Sequence, residues 1–174
     1  IQPDYDTSPT QKRMWLASRT PHGSAAYNMA GAFWLEGDVD VSALRRAVRA
    51  LVERHEALRT VFVVVDGVLR QQVRSATTVG EVLRQADTVM PTETAQLDTI
   101  VAARIAVPFD LARGPLFDAE LMPAEDGRHL LLVRLHHIVG DAVSIRIALH
   151  EAFGLYRAFR QGGTASPLAP LTIQ

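Results

Sequence analysis

The strongest constraint on the fold is an alternation between two hydrophobic periods along the chain. Apolar residues recur at helical spacing in some segments and at strand spacing in others, with turn residues between them. Ser8–Arg19 reads as a short helix, with Ser8 as N-cap and Pro9 at the first helical position. Tyr27–Glu36 is aromatic-rich and reads as a strand. Asp40 or Ser42 caps the next helix, on which Leu44, Val48, Leu51, Val52 and His55 share one face. Two β-rich runs flank Asp66-Gly67, a strong hairpin signal. Thr94–Val107 reads as a helix ending at Pro108. Leu116–Met122 and His129–Leu135 form a second hairpin around Glu125-Asp126-Gly127. Ala142–Arg160 is the longest amphipathic helix, with Ile145, Leu149, Phe153 and Tyr156 as its stripe. The order helix, strand, helix, hairpin, helix, hairpin, helix predicts an α+β fold, a largely antiparallel sheet packed with helices.

Composition narrows the function classes. With 48% hydrophobic and 21% charged residues, the 174-residue chain supports one domain with a substantial core. A net charge of -1 argues against a nucleic-acid or anionic-membrane surface. Seventeen arginines against the single Lys12 point to codon usage, not to seventeen phosphate contacts. The absence of cysteine excludes disulfides, thiolate metal sites and a cysteine nucleophile. No apolar stretch approaches the roughly 20 residues of a membrane helix. With no signal-peptide pattern at the N-terminus, the expected location is cytoplasmic.

One cluster carries chemistry. LHHIVGDAVS, Leu135–Ser144, places His136 and His137 at the end of an apolar run, with Asp141 four residues after the second histidine. Taken alone, it also fits a buried strand end followed by an Asp141 helix cap. Adjacent strand residues face opposite sides, so only one imidazole is expected to face a reaction site.

Three segments in order resemble the condensation domains of nonribosomal peptide synthetases. SPTQKRMWL (Ser8–Leu16) is similar to the family's opening motif, and RHEALRTVF (Arg54–Phe62) to its second motif. LHHIVGDAVS resembles the signature HHxxxDG, with Ala142 where glycine is usual. The resemblance implies a chloramphenicol acetyltransferase-like lobe, one half of a two-lobed, V-shaped domain with the reaction tunnel between the lobes. Residues 1–165 would form the N-terminal lobe, and 166–174 would begin the connector to a C-terminal lobe.

The implied reaction joins two carrier-bound substrates: an amine attacks an acyl thioester, forming a peptide bond. No cofactor is expected on the lobe itself, since the substrates ride on phosphopantetheine arms. The implied partners are donor and acceptor carrier proteins, the C-terminal lobe and adjacent synthetase domains. His137 is the implied catalytic residue, as base, positioner or stabiliser of the tetrahedral intermediate. His136 is implied to be structural. Asp141 is implied to pair with an arginine, either Arg59, the nearest candidate in the chain, or an arginine of the C-terminal lobe. Gln11, Arg13, Trp15, Arg54, His55, Gly140 and Ser144 are carried as tunnel or motif positions, and His22 as an exposed loop residue near the tunnel mouth. Arg54, His55 and Glu56 equally fit a charged, solvated helix end. Neither the spacing nor the resemblance calls for a metal.

Ala142 has three readings. If the family glycine has φ > 0, the methyl group costs about 1–2 kcal/mol. If glycine admits the pantetheine arm, the methyl narrows the passage; otherwise the change is neutral. RHEALRT is closest to subtypes taking an L-configured donor. Epimerisation domains share HHxxxDG, and VSIRIAL resembles their VSWRIL. Heterocyclisation domains are disfavoured because they replace the histidines with aspartate. The contrasting class is a degenerate, non-catalytic lobe that docks a carrier protein or a tailoring enzyme.

Overall fold

A computed structural model of the chain describes residues 4–20, 23, 25–163, 168–169 and 171. His22 and most of the expected connector therefore lie outside the described residues. The elements run β1 (Asp4–Asp6), α1 (Pro9–Ser18), β2 (Asn28–Leu35) and α2 (Val41–Arg54). A short 3-10 helix (Glu56–Arg59) then leads into β3 (Thr60–Val65), β4 (Val68–Val73) and β5 (Leu83–Gln85). The chain continues with α3 (Thr94–Ile105), β6 (Phe117–Pro123), β7 (His129–His136) and α4 (Ala142–Arg160). The strands form two sheets rather than the single one expected: β1-β4-β3, and β2-β7-β6-β5. Among the described residues the named strands pair antiparallel except β5 with β6, and an isolated bridge between Met90 and Ala124 is also parallel. The alternation of periods had not revealed β1 and β5, each three residues long.

Local chemistry accounts for the element ends. Ser8 and Gln11 form a capping box on α1, and the Asp40 carboxylate accepts the Ala43 N–H at the start of α2. In the β3–β4 hairpin Asp66 and Gly67 both take positive φ, 51° and 78°, the twist a two-residue turn requires.

Strand β7 lies inside the four-stranded sheet, with helices on both faces. That is why Leu130–Val133 is a continuous apolar run and not an alternation. On one face Leu131, Val133 and Leu135 join Phe117, Ala119 and Leu121 against α2 and α4. On the other, Leu130 and Leu132 pack with Met122 and Met90 beneath Leu97, Ile100 and Val101 of α3. The buried residues of α4 are Ala148, Ala152, Leu155 and Phe159. The expected stripe of Ile145, Leu149, Phe153 and Tyr156 is only partly buried beside them. The difference arises because α4 packs on α2, and small alanines let the two backbones approach. A third cluster, Phe62, Leu69, Leu111, Leu116 and Ile138, ties the three-stranded sheet and α1 to the segment after β7. No helix among the described residues is long and apolar enough to cross a membrane.

Candidate active site

The two histidines have opposite fates. His136 ends β7 opposite Asn28 of β2 and is fully buried, flanked by the rings of Tyr27 and Phe109. His137 lies just past the strand and is exposed. The backbone fixes this split: the His136 N–H donates to Leu116 O (2.9 Å) and the His137 N–H to Tyr27 O (2.8 Å).

Hydrogen bonds also decide the tautomers. The Ile138 N–H donates to His136 Nδ1 at 3.1 Å, so Nδ1 carries the lone pair and the neutral ring is protonated at Nε2. That Nε2 is buried without an acceptor among the described residues. Burial first, and then the neighbouring His137, pull the His136 pKa down to about 4, which keeps the ring neutral. His137 is the reverse case. Its Nδ1 lies 2.8 Å from the Gly140 carbonyl, which can only accept, so Nδ1 is protonated and the Nε2 lone pair is left free.

Residues 136–141 are anchored from several directions. Ile138, 3% exposed, is sunk in the third core cluster. Its carbonyl accepts Gln11 Nε2 at 3.3 Å, and the same amide nitrogen donates to Gln71 Oε1 at 2.9 Å. Gln11 Oε1 meanwhile accepts the Ser8 N–H. The opening motif therefore braces the loop that bears His137. Gly140 is closely packed: a Cβ there would lie 2.8 Å from Leu135 Cδ2 and 3.0 Å from Ser144 Cβ.

Asp141 serves as the N-cap of α4. Its carboxylate accepts the N–H and the hydroxyl of Ser144, both at 2.8 Å, while Ser144 Oγ accepts the Asp141 N–H. These bonds, the Ser144 N–H foremost, hold its pKa below the ordinary carboxylate value. The expected pairing with Arg59 does not occur. Asp141 is exposed and occupied by capping, and Arg59 donates to Arg74 O (2.7 Å) and faces Glu56 at 3.6 Å. Ala142 is the first residue of α4 and has no positive φ, so its methyl group carries no backbone penalty.

The second motif is not a solvated helix end. Arg54 Nε and His55 Nε2 both donate to Glu151 Oε2, at 3.0 and 2.6 Å, and the three side chains are only 13–21% exposed. They clamp the end of α2 to the middle of α4. Next to this clamp lies an apolar cleft of about 170 Å³, lined by His55, Leu58, Phe117, Leu135, Ser144 and Ile145 among others. Arg13 is exposed and donates to Thr10. Trp15 packs against the core cluster of Phe62 and Ile138 beneath the Arg19 guanidinium.

Below His136, Arg134 donates to Asp118 (2.9 Å) and to the carbonyls of Arg104 and Val107, and Asn28 donates to the Ile105 and Val107 carbonyls. This buried polar layer ties the end of α3 to the sheet. Sequence reasoning had missed Asn28, Arg134 and Glu151. For Arg134 the available signal was a charge inside an otherwise apolar strand.

The sequence matches the Condensation domain family profile over residues 1–171. Surfactin synthase subunit 1 of Bacillus subtilis (strain 168) is 35% identical over 157 residues, 90% of this chain but 4% of that protein. In the complex of the X-domain and OxyB from teicoplanin biosynthesis, the similar chain has 30% identity and a TM-score of 0.84, with 100% of this chain and 37% of that one covered. The epimerization domain from the third module of tyrocidine synthetase B gives 28% and 0.79, covering 99% and 37%. The chain thus spans a few per cent of the length of the curated relatives and under half of the solved domains. The fold is chloramphenicol acetyltransferase-like, and the chain belongs to the condensation domain family of nonribosomal peptide synthetases.

Proposed function

We propose that residues 1–165 form the histidine-bearing lobe for peptide-bond formation between a carrier-bound acyl thioester and a carrier-bound amine. The observation that carries this reading is the His137 tautomer: Nδ1–H is committed to Gly140 O, and Nε2 is exposed with its lone pair free. An amine attacks only when neutral, and an α-ammonium has a pKa of roughly 7.7–8.0. Nε2 accepts an amine hydrogen as the nitrogen attacks the thioester carbon. The tetrahedral intermediate then expels the thiolate, and the proton passes from the imidazolium to sulfur. The Gly140 carbonyl stabilises the transient imidazolium through Nδ1–H, and such general-base assistance is typically worth about 10² to 10⁴ in rate. The apolar cleft beside α4 takes the side chain of one substrate. A C-terminal lobe, reached through a connector beginning near residue 166, supplies the facing wall, and carrier proteins deliver both phosphopantetheine-linked substrates.

A second reading, a docking lobe without turnover, is favoured by the likeness to the teicoplanin X-domain, found in complex with OxyB. The full-length protein, given both loaded carriers, separates the two. Product formation that falls at least 100-fold in His137→Ala, an estimate in line with the loss of a general base, supports catalysis. Turnover unchanged in that variant removes the role of His137, and no turnover in the wild type supports docking.

A further inference from the structure

A second polar site lies on the far end of the 3-10 helix. Arg59, Arg74 and Arg113 line a pocket of about 130 Å³, together with Thr78, Gly80 and Gly114; its lining includes three arginines, Arg113 being 89% exposed, and no acidic residue. A backbone bond and a side-chain bond hold two of these arginines together: the Arg74 N–H donates to Arg59 O (2.9 Å), and the Arg59 guanidinium Nη1 donates to Arg74 O (2.7 Å). Their remaining donors are poorly served. Arg59 Nε is buried without an acceptor, and the half-buried Arg74 guanidinium has no acceptor among the described residues. Elsewhere the partly buried arginines meet carboxylates, as Arg54 meets Glu151, Arg104 meets Glu120 and Arg134 meets Asp118. The acids nearest the pocket only partly offset it: Glu56 is 3.6 Å from Arg59, and Asp110 is 3.8 Å from Arg113.

We propose that this pocket binds a phosphoryl-type oxyanion. The unpaired donors of half-buried Arg74 carry a desolvation cost that an anion in the pocket removes, whereas Arg59 Nε is too deeply buried to be reached. The shape favours phosphate over carboxylate. Three arginines reach the pocket from three chain segments, and a tetrahedral dianion presents oxygens in three directions where a planar carboxylate presents two. The pocket, about 130 Å³, is large enough for a phosphoryl group. Gly114, at φ 62°, keeps the floor open: a Cβ there would lie 2.9 Å from Val61 Cγ1. The pocket shares a wall with the proposed substrate cleft, because His55 and Leu58 line one and Arg59 the other. An anion in the pocket therefore steadies the 3-10 helix that borders the cleft.

The test is arginine-selective labelling with a phenylglyoxal on the full-length protein, read peptide by peptide by mass spectrometry. Inorganic phosphate and methyl phosphate are compared with acetate and chloride at matched ionic strength. Exposed Arg13 serves as the internal control. At ten times the dissociation constant, phosphate protects Arg74 and Arg113 about tenfold while Arg13 labels as before. In Arg74→Gln, a residue away from His137, the protection of Arg113 disappears at the same concentration. Methyl phosphate protecting equally well identifies a phosphate ester as ligand, and protection by inorganic phosphate alone identifies the free ion. Equal labelling with and without phosphate, or equal protection by acetate or chloride, overturns the proposal.

Discussion

The buried neutral imidazole of His136 makes a quantitative claim about acid stability. Its pKa is about 4 in the folded protein and near 6.5 in an unfolded chain. The folded state thus disfavours the charged form. The contribution of His136 is fully present above pH 6.5 and is lost progressively as pH falls from 6.5 towards 4. At about 1.36 kcal/mol per pH unit, the loss across that window is about 3 kcal/mol. Urea unfolding followed by circular dichroism at several pH values between 8 and 4.5 measures it. His136→Asn keeps an acceptor for the Ile138 N–H and cannot titrate. It starts less stable at neutral pH, because it empties space beside Tyr27 and Phe109, yet its stability falls less steeply with acid. Parallel pH–stability curves for the two proteins would refute the reasoning. So would an imidazole ¹⁵N spectrum at pH 6 in which His136 is charged or protonated at Nδ1.

Other residues of the site give sharper separations. Gln11→Glu keeps the acceptor for the Ser8 N–H but loses the donor to Ile138 O, so kcat in the full-length protein falls by about tenfold while α1 stays capped; unchanged kcat would show that the brace does not hold His137. Gly140→Ala drives a methyl group into Leu135 and Ser144, costing about 1–3 kcal/mol in thermal or urea unfolding and displacing the carbonyl that fixes the His137 tautomer. Wild-type stability in that variant would mean that α4 yields freely. Glu151→Gln leaves Arg54 and His55 without their carboxylate and costs about 2 kcal/mol, less than a fully buried pair because some water reaches the cluster. A loss below a few tenths of a kcal/mol would reduce the clamp to a surface contact.

Most of the architecture was legible because its signals are local. The Ser8–Gln11 box, the Asp66-Gly67 turn and the Asp141 cap each lie within four residues, and each sets an element boundary. Strands β1 and β5 were not legible because three residues cannot display a period. Nor does alternation reveal how strands are shared between sheets. Strand β7 reads as uniformly apolar for the very reason that it touches helices on both sides, and this hides which face each residue serves.

The site divides along the same line. Strand alternation gave only that one of the two imidazoles faces a reaction site, and the family motif pointed to His137. The contacts that brace the histidine loop and clamp α2 to α4 come from far away in sequence: Gln11 reaches Ile138 across 127 positions, and Glu151 reaches His55 across 96. The Asp141–Arg59 expectation failed because a carboxylate at a helix start already has donors from its own first turn, one of them a backbone N–H that cannot move away. An arginine can compete for that carboxylate only by approaching its outer lone pairs, and Arg59 is held elsewhere by Arg74 O. The same restraint places Arg59 beside Arg74, whose guanidinium has no acceptor among the described residues, at the edge of one pocket. The side-chain bond that holds Arg59 on Arg74 O also sets it beside Arg74 at the pocket proposed to take an anion.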